Sequence, residues 1–299
     1  MLYTAYGLTV RSRLRLPELP EEPDSGRGAD VDVRLGRVPS ENRESRDSLH
    51  FRIPGTAGFL VSGGREIVVE PEGGADEDGI RLFLLGSAFG ALLFQRGHLV
   101  LHGSAVRVGD DCLVCVGRSG AGKSTLSAGF MKRGHQILSD DVIPVDGSGR
   151  AIPSFPRIKL WQDAADLLGI TTDRLRRIRP GVEKFDYPLR ERFAGRPLPI
   201  QWIYVLDSHD KPDVLIEPID GMKRLHPLRE HTYRAFFLET MGLKPEHLRS
   251  CARLASGIRL ARVTRPSLGF GLDALMDRIL SDVREHPGRG AGSIRPGRW

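Results

Sequence analysis

Over the first eighty residues apolar and polar positions alternate in short runs, the period expected of strands with one buried face. The runs Tyr3–Val10, Val31–Leu35, Phe51–Ile53, Gly58–Val61 and Ile67–Glu70 are predicted strands, and Gly63-Gly64 supplies a hairpin turn between the last two. Pro17–Gly28 and Pro39–Asp47 read as polar loops. The pattern changes near Ile80. Leu82–Phe94 is nearly all apolar with Gly and Ser at helical spacing, which predicts a buried helix over 80–96 that is too short to span a bilayer. A strand His98–Val108, a Gly-Asp-Asp turn and the fully apolar strand Cys112–Val116 follow. A glycine-rich loop then leads into a helix Lys123–Arg133 stopped by Gly134, and a short strand His135–Leu138 ends at Asp140-Asp141. Strand, loop, helix, strand is the βαβ unit of a parallel sheet.

Further on, Gly147-Ser148-Gly149 predicts a hairpin, 153–161 is punctuated by proline, and helices are predicted at 162–169 and 172–178. Strands Ile200–Leu206 and Val214–Ile219, helices 221–241 and 245–256, a strand Ile258–Thr264 and a helix Leu272–Glu285 complete the series. Pro287–Trp299, rich in Gly and Arg, reads as a mobile basic tail. The expected organisation is a small β-rich domain over 1–79, an α/β domain over 80–286 and the tail 287–299.

Composition narrows the class. A chain of 299 residues, 40% hydrophobic and 27% charged, can bury a core, so global disorder is excluded. The alternating amino terminus lacks the continuous apolar block of a signal peptide, which points to a cytoplasmic protein with no membrane partner. Three cysteines do not make a disulfide framework, and Cys112 and Cys115 sit inside a buried apolar run without a second ligand pair. The net charge of +6 is dispersed and carries no nucleic-acid motif, so an anionic small ligand or an acidic peptide is the better match.

Gly117-Arg-Ser-Gly-Ala-Gly-Lys123-Ser124 satisfies G-x-x-x-x-G-K-[ST], between a buried strand and a helix. Glycines at 117, 120 and 122 let successive N–H groups converge on one anion, and the helix adds its positive end. Gly117, Ser119, Gly120, Ala121, Gly122, Lys123, Ser124 and Thr125 are therefore candidate nucleotide contacts, with Lys123 on the phosphates and the Ser124 hydroxyl on Mg²⁺. Asp140 and Asp141 follow the loop helix by one strand; one carboxylate can serve a metal and the other an attacking hydroxyl. His102-Gly103 closes an apolar strand just upstream.

Residues 101–145, LHGSAVRVGDDCLVCVGRSGAGKSTLSAGFMKRGHQILSDDVIPV, resemble the core of the HPr kinase/phosphorylase superfamily in the order of His-Gly, phosphate loop, K-R-G-H and Asp-Asp. The resemblance implies an α/β fold with a P-loop kinase core of HPr kinase type behind a small β-rich N-terminal domain. It makes His102 and Lys123 active-site residues, Asp140 the base-like residue facing the acceptor hydroxyl and Asp141 the Mg²⁺ ligand, although the order of roles within the pair can be reversed. Where HPr kinases carry E-I-R-G-x-G, this chain has Ile152-Pro-Ser-Phe-Pro-Arg157-Ile-Lys159-Leu-Trp161, a departure at the HPr-binding surface. The divergent pattern, with Tyr3–Leu19 and Pro156–Trp161, resembles the HPr-kinase-related lasso precursor peptide kinases, which phosphorylate a C-terminal serine.

Arg157 and Lys159 alternate along an extended segment, so one face can present both to nucleotide phosphate or to a peptide carboxylate. Lys184, Arg190, Arg192, Arg229 and Arg234 rank below them. The expectation is an ATP- and Mg²⁺-dependent kinase acting on the C-terminal serine of a lasso precursor peptide. HPr or another protein or small-molecule hydroxyl is the alternative acceptor, a non-catalytic nucleotide-binding module is the alternative class, and a homo-oligomer is compatible with either.

Overall fold

Alternation along the N-terminal strands buries one face of each, and in the computed structural model of the chain that face closes over a single long helix. The structure describes residues 1–23, 26, 28–39, 44–267 and 271–288; parts of the predicted loops Pro17–Gly28 and Pro39–Asp47, and the predicted tail from 289 on, lie outside the described residues. Strands β1 (Leu2–Ala5), β2 (Leu8–Ser12), β3 (Glu21–Glu22), β4 (Val31–Leu35), β5 (Ser48–Ile53), β6 (Ala57–Ser62) and β7 (Glu66–Pro71) form one sheet in the order β3-β1-β2-β4-β7-β6-β5. Gly63 and Gly64, both at positive φ, make the β6–β7 turn, a conformation closed to most other residues.

Helix α1 (Glu77–Phe83) passes through one π-helical turn, Leu84–Ala88, into α2 (Phe89–Gln95). Asp76 caps it by accepting from Gly79 N–H at 2.8 Å. One hydrophobic cluster joins Tyr3, Val10, Phe59 and Val69 of the sheet to Leu84, Phe89 and Leu92 of the helix, and also takes in Val100 and Val142 from the strands that follow.

The second sheet holds the glycine-rich loop Gly117–Ser124. It is built from β8 (Leu99–Val108), β9 (Asp111–Gly117), β10 (Ile137–Val145), β11 (Arg150–Ala151), β15 (Leu198–His209), β16 (Leu215–Pro218) and β17 (Arg259–Pro266), in the order β11-β10-β8-β9-β15-β17-β16. Helix α3 (Lys123–Lys132) crosses from β9 to β10. The expected parallel βαβ unit is therefore corrected to a split one in a mixed sheet: β8 lies between β9 and β10, antiparallel to both. The hairpin turn after β8 is too short for a parallel neighbour, so β8 claims the place beside β9. On the other side β15 and β17 run parallel to β9 and to each other.

A third, small sheet, β12 (Arg157–Trp161), β14 (Lys184–Pro188) and β13 (Arg176–Arg177), packs over this one in the order β12-β14-β13; helix α4 (Gln162–Leu167) connects β12 to it. The predicted helix 172–178 does not form; β13 takes its place, with Arg176 drawn to the buried carboxylates of Glu18 and Asp186 rather than to a helical face. The predicted helix 221–241 is also corrected. It breaks into a 3₁₀ turn, α5 (Leu225–Glu230) and α6 (Phe236–Thr240), because Thr232 and Tyr233 leave helical geometry to bond β8. Helices α7 (Lys244–Gly257) and α8 (Leu272–Glu285) close the fold.

Cys112 and Cys115 are fully buried in β9, where burial pushes the Cys115 thiol up to about 12, so neither behaves as a reactive thiol. No helix among the described residues is long and apolar enough to cross a membrane.

Gly103 on β8 marks the closest approach in the sheet. A Cβ there would stand 2.4 Å from the Cys115 carbonyl oxygen and 3.2 Å from Ile143 and Val116 side-chain atoms. The sequence had no other residue to offer at that crossing. Gly103→Ala is expected to cost about 3 kcal/mol of stability, the upper range for overpacking a closed core, read as a lowered urea midpoint with an unchanged slope.

Candidate functional site

Strand β9 is buried along its length and ends on Gly117, where an added Cβ would meet the Leu206 carbonyl oxygen at 2.9 Å. From there the chain can turn only because Gly120 (φ +82°) and Gly122 (φ +95°) adopt left-handed backbone. Gly122 stands at the N-cap of α3 with no side chain to satisfy the first-turn amides. The amides of Ser119, Gly120 and Gly122 are bonded to no backbone carbonyl among the described residues, so the loop and helix end present donors and a positive dipole to a common point. Lys123 is 8% exposed and folds over the loop, donating to the carbonyls of Gly117 (2.9 Å) and Arg118 (3.0 Å). Burial lowers its pKa, against the pull of Asp141 and Asp140.

The Asp pair is not at a strand end. Strand β10 continues past the predicted Leu138 to Val145, and Asp140 and Asp141 lie in its middle, opposite Ser104 and Gly103 of β8. His102 likewise lies within β8 rather than at its end. Side chains bridge the intervening strand. The Asp140 carboxylate accepts from Ser124 Oγ (3.1 Å), from Ser104 Oγ (3.0 Å) and from the Lys159 backbone N–H (3.0 Å). Asp141 adopts φ +69°, a backbone conformation that disfavours any residue with a Cβ. Its carboxylate pairs with Lys159 Nζ at 2.8 Å.

These surroundings divide the pair. Burial raises the pKa of Asp140, and the neighbouring Asp141 charge adds to it. Burial acts on Asp141 in the same sense, but the ammonium groups of Lys159 and Lys184 outweigh it and hold that carboxyl well below the usual carboxylate range. Lys159 is raised reciprocally: burial opposes its charge and Asp141 more than restores it. The imidazole of His102 donates from Nδ1 to the Asp141 carbonyl oxygen at 2.9 Å. A carbonyl only accepts, so Nδ1 carries the proton; burial lowers the pKa, which leaves Nε2 unprotonated at neutral pH.

Two clefts flank the loop. One, of about 570 Å³, lies between Ser119–Ala121, the end of β15 and α5, and includes Pro227, Arg262 and Arg265. The other, of about 760 Å³, opens from Asp141, His102 and Lys159 to Trp161, Lys184 and Tyr233. Helix α1 and the π turn close its far wall through Leu82, Phe83 and Ser87.

The structure thus gathers His102, the loop from Gly117 to Ser124, Asp140, Asp141 and Lys159, with Thr125 the third residue of α3. Arg157 shares a face with Lys159 but has another target: it donates to Asp186 (3.2 Å) and to the Pro17 carbonyl, tying β12 to the N-terminal part of the chain. Ser104 escaped the sequence reading entirely. Lys184, Arg179, Tyr233 and Arg234 reach the cleft through pairings of β12 with β14 and through the broken helix, which no local pattern announced.

Lys159 sets the ionisation of Asp141, and this gives a pH prediction. With a depressed pKa, Asp141 stays ionised well below neutrality. In Lys159→Met its pKa rises, so in a reaction that needs the carboxylate kcat is expected to begin falling at a higher pH than in the wild type as the pH is lowered. An identical pH profile in the two proteins would contradict the pairing.

No family model matches the chain, and no curated protein does. Among solved structures it is similar to the HPr(Ser) kinase/phosphatase from Coxiella burnetii, at 14% identity and a TM-score of 0.29, over 62% of this chain and 95% of that one. What fold and site define is a mixed α/β chain in which a strand, phosphate-loop motif and helix face a half-buried pair of carboxylates.

Proposed function

We propose that the protein is an ATP- and Mg²⁺-dependent kinase that transfers the γ-phosphoryl group to the hydroxyl of a peptide serine, with the C-terminal serine of a lasso precursor peptide as the acceptor. The observation that carries this reading is the junction of loop and Asp pair: the Ser124 hydroxyl bonded to Asp140, with Asp141 beside it opening onto a separate cleft. A nucleotide-binding module needs the first feature; the second has a use only when something is delivered to the phosphate from the other side.

The donor set suits a hard divalent cation, since the Ser124 hydroxyl and Asp140 carboxylate offer oxygen alone. Those two residues would hold Mg²⁺, which when bound neutralises charge on the β- and γ-phosphates. The loop amides take phosphate oxygens, and Lys123 exchanges its two loop carbonyls for them. Asp141 faces the acceptor. Its depressed pKa rules out removing a serine proton in the ground state; it orients the hydroxyl and accepts the proton late, as the new P–O bond forms. Lys159, held beside Asp141, offsets charge spreading over the transferred group. This order, Asp140 on the metal and Asp141 on the acceptor, reverses the one the sequence resemblance implies, and the Ser124–Asp140 bond is what favours it.

Incubation with MgATP and, separately, a precursor peptide ending in Ser, its Ser→Ala counterpart, and HPr, followed by mass spectrometry, tests the acceptor. One phosphoryl group on the first peptide alone supports the reading, whereas phosphate on HPr and never on a precursor peptide overturns it.

A further inference from the structure

On the acceptor side the cleft carries more positive charge than phosphate transfer uses. Lys159 is committed to Asp141. Arg118 approaches Glu230 at 3.8 Å from a nearly fully exposed position. Arg179, Lys184 and Arg234 line the same cleft, and none of the three has a direct carboxylate partner among the described residues. Arg179 and Arg234 are exposed and Lys184 is half-buried, whereas Arg157 and Arg176 are paired with Asp186 and Arg259 with Asp282.

Arg234 is also held in place. Its backbone is at φ +47°, which a residue with a Cβ adopts only when its surroundings enforce it. The enforcement is visible in Tyr233. Its ring lies against Gly86 and Gly90 of the π turn and α2, so closely that a Cβ on either would come within 2.9 Å of the ring or its hydroxyl. Its amide bonds the Val100 carbonyl at 2.9 Å, and the Arg234 guanidinium sits 5.9 Å from the ring centroid. On the opposite side Lys184 lies 5.5 Å from the centroid of Trp161, an indole left 48% exposed in the cleft. Two cations thus each lie over an aromatic ring, and Asp141 and His102 line the same cleft.

We propose that Arg179, Lys184 and Arg234 form a carboxylate-binding subsite, so that the kinase selects acceptors carrying a carboxylate close to the hydroxyl that is phosphorylated. The inference rests on the kinase reading above and adds the residues that recognise a carboxylate on the acceptor, whichever acceptor carries it. A carboxylate suits the arrangement because a guanidinium fork pairs it through two parallel hydrogen bonds, and the stacked rings fix the fork before the acceptor arrives. The carboxylate can come from a peptide C-terminus or from an acidic side chain next to the serine.

The test uses the full chain, MgATP and pooled serine peptides in four matched forms. Serine-terminated peptides are presented as free acids and as C-terminal amides; internal serines are presented with flanking Glu or flanking Gln. The wild type is expected to phosphorylate one carboxylate-bearing form at least tenfold faster, in kcat/KM, than its neutral counterpart, and which pair shows the preference tells the source. Arg234→Ala and the loop variant Arg179→Ala should each bring that ratio towards one, while Arg278→Ala, on the exposed face of α8, should keep it. Equal rates for all four forms in the wild type would overturn the proposal with the kinase reading intact, as would a preference that survives both arginine substitutions. Failure of every peptide to take phosphate would count against the kinase reading itself.

Discussion

Asp141→Asn lowers kcat for phosphoryl transfer about a thousandfold and leaves the dissociation constant for MgATP within about threefold of the wild type. The substitution keeps the shape of the side chain and removes its ability to accept a proton. Lys159 Nζ then faces an amide in place of a carboxylate at 2.8 Å, so the positive charge of Lys159 and Lys184 is left uncompensated beside the phosphates. That charge favours bound nucleotide, which is why affinity holds while turnover collapses. Rapid-quench kinetics with saturating ATP read the first quantity and equilibrium binding reads the second. Equal losses in both would place Asp141 on the nucleotide instead of the acceptor.

Asp140→Asn produces the opposite split. The carboxylate now accepts three hydrogen bonds, from two hydroxyls and one backbone amide. An amide in its place has one acceptor oxygen; its NH₂ group must face either the Ser124 and Ser104 hydroxyls or the Lys159 N–H, and in the second arrangement a buried donor meets a donor. Loss of the formal charge weakens Mg²⁺ binding as well. The Mg²⁺ concentration for half-maximal activity is expected to rise about tenfold to a hundredfold, and excess Mg²⁺ should recover part of the rate. Because Ser104 and Ser124 both lean on the same oxygen, Ser104→Ala should shift the requirement in the same direction by a smaller amount. A Mg²⁺ titration of Asp140→Asn that overlays the wild type would remove Asp140 from the metal side.

The residues that were legible in sequence share one property: their chemistry depends on neighbours within a few positions. The turn Gly117–Ser124 was legible because its glycines let a strand turn into a helix N-terminus, with the amides of Ser119, Gly120 and Gly122 bonded to no backbone carbonyl among the described residues. The buried strand Cys112–Val116 before it was legible from its unbroken apolar run. The sheet's order was not, because β8 and β10 differ in no local respect from strands of a parallel unit; what separates them is a hairpin at 109–110 too short for a crossover. The Asp pair was placed at a strand end because Asp breaks a strand in water. Inside the fold Asp140 takes up three donors and Asp141 turns out at positive φ, and the strand runs on through both. Lys184 became a cleft residue only through its pairing opposite Trp161, and Tyr233 and Arg234 only because β8 bonds a segment that reads as helix. Long-range pairings of that kind leave no period in the sequence.

The N-terminal sheet gains a part in the same way. Read alone it carries no chemistry. In the fold, helix α1–α2 lies in its core and also walls the cleft that holds Asp141, and Glu18 joins Arg81 and Arg176 in a buried charge cluster that reaches Asp186, opposite Lys159. The strand that holds Asp141 ionised is therefore braced from both sides.

Transfer of the γ-phosphoryl group to a hydroxyl through Asp141 is the step on which the proposed function depends. Its most direct test follows γ-labelled ATP with Mg²⁺ and a mixed pool of serine peptides, HPr and small alcohols, and asks where the label goes with the wild type and with Asp141→Asn. The account predicts an acid-stable phosphate ester on an acceptor, formed by the wild type and lost in the variant. Label that remains in ATP or appears only as inorganic phosphate in every pool, with wild type and variant alike, would contradict it.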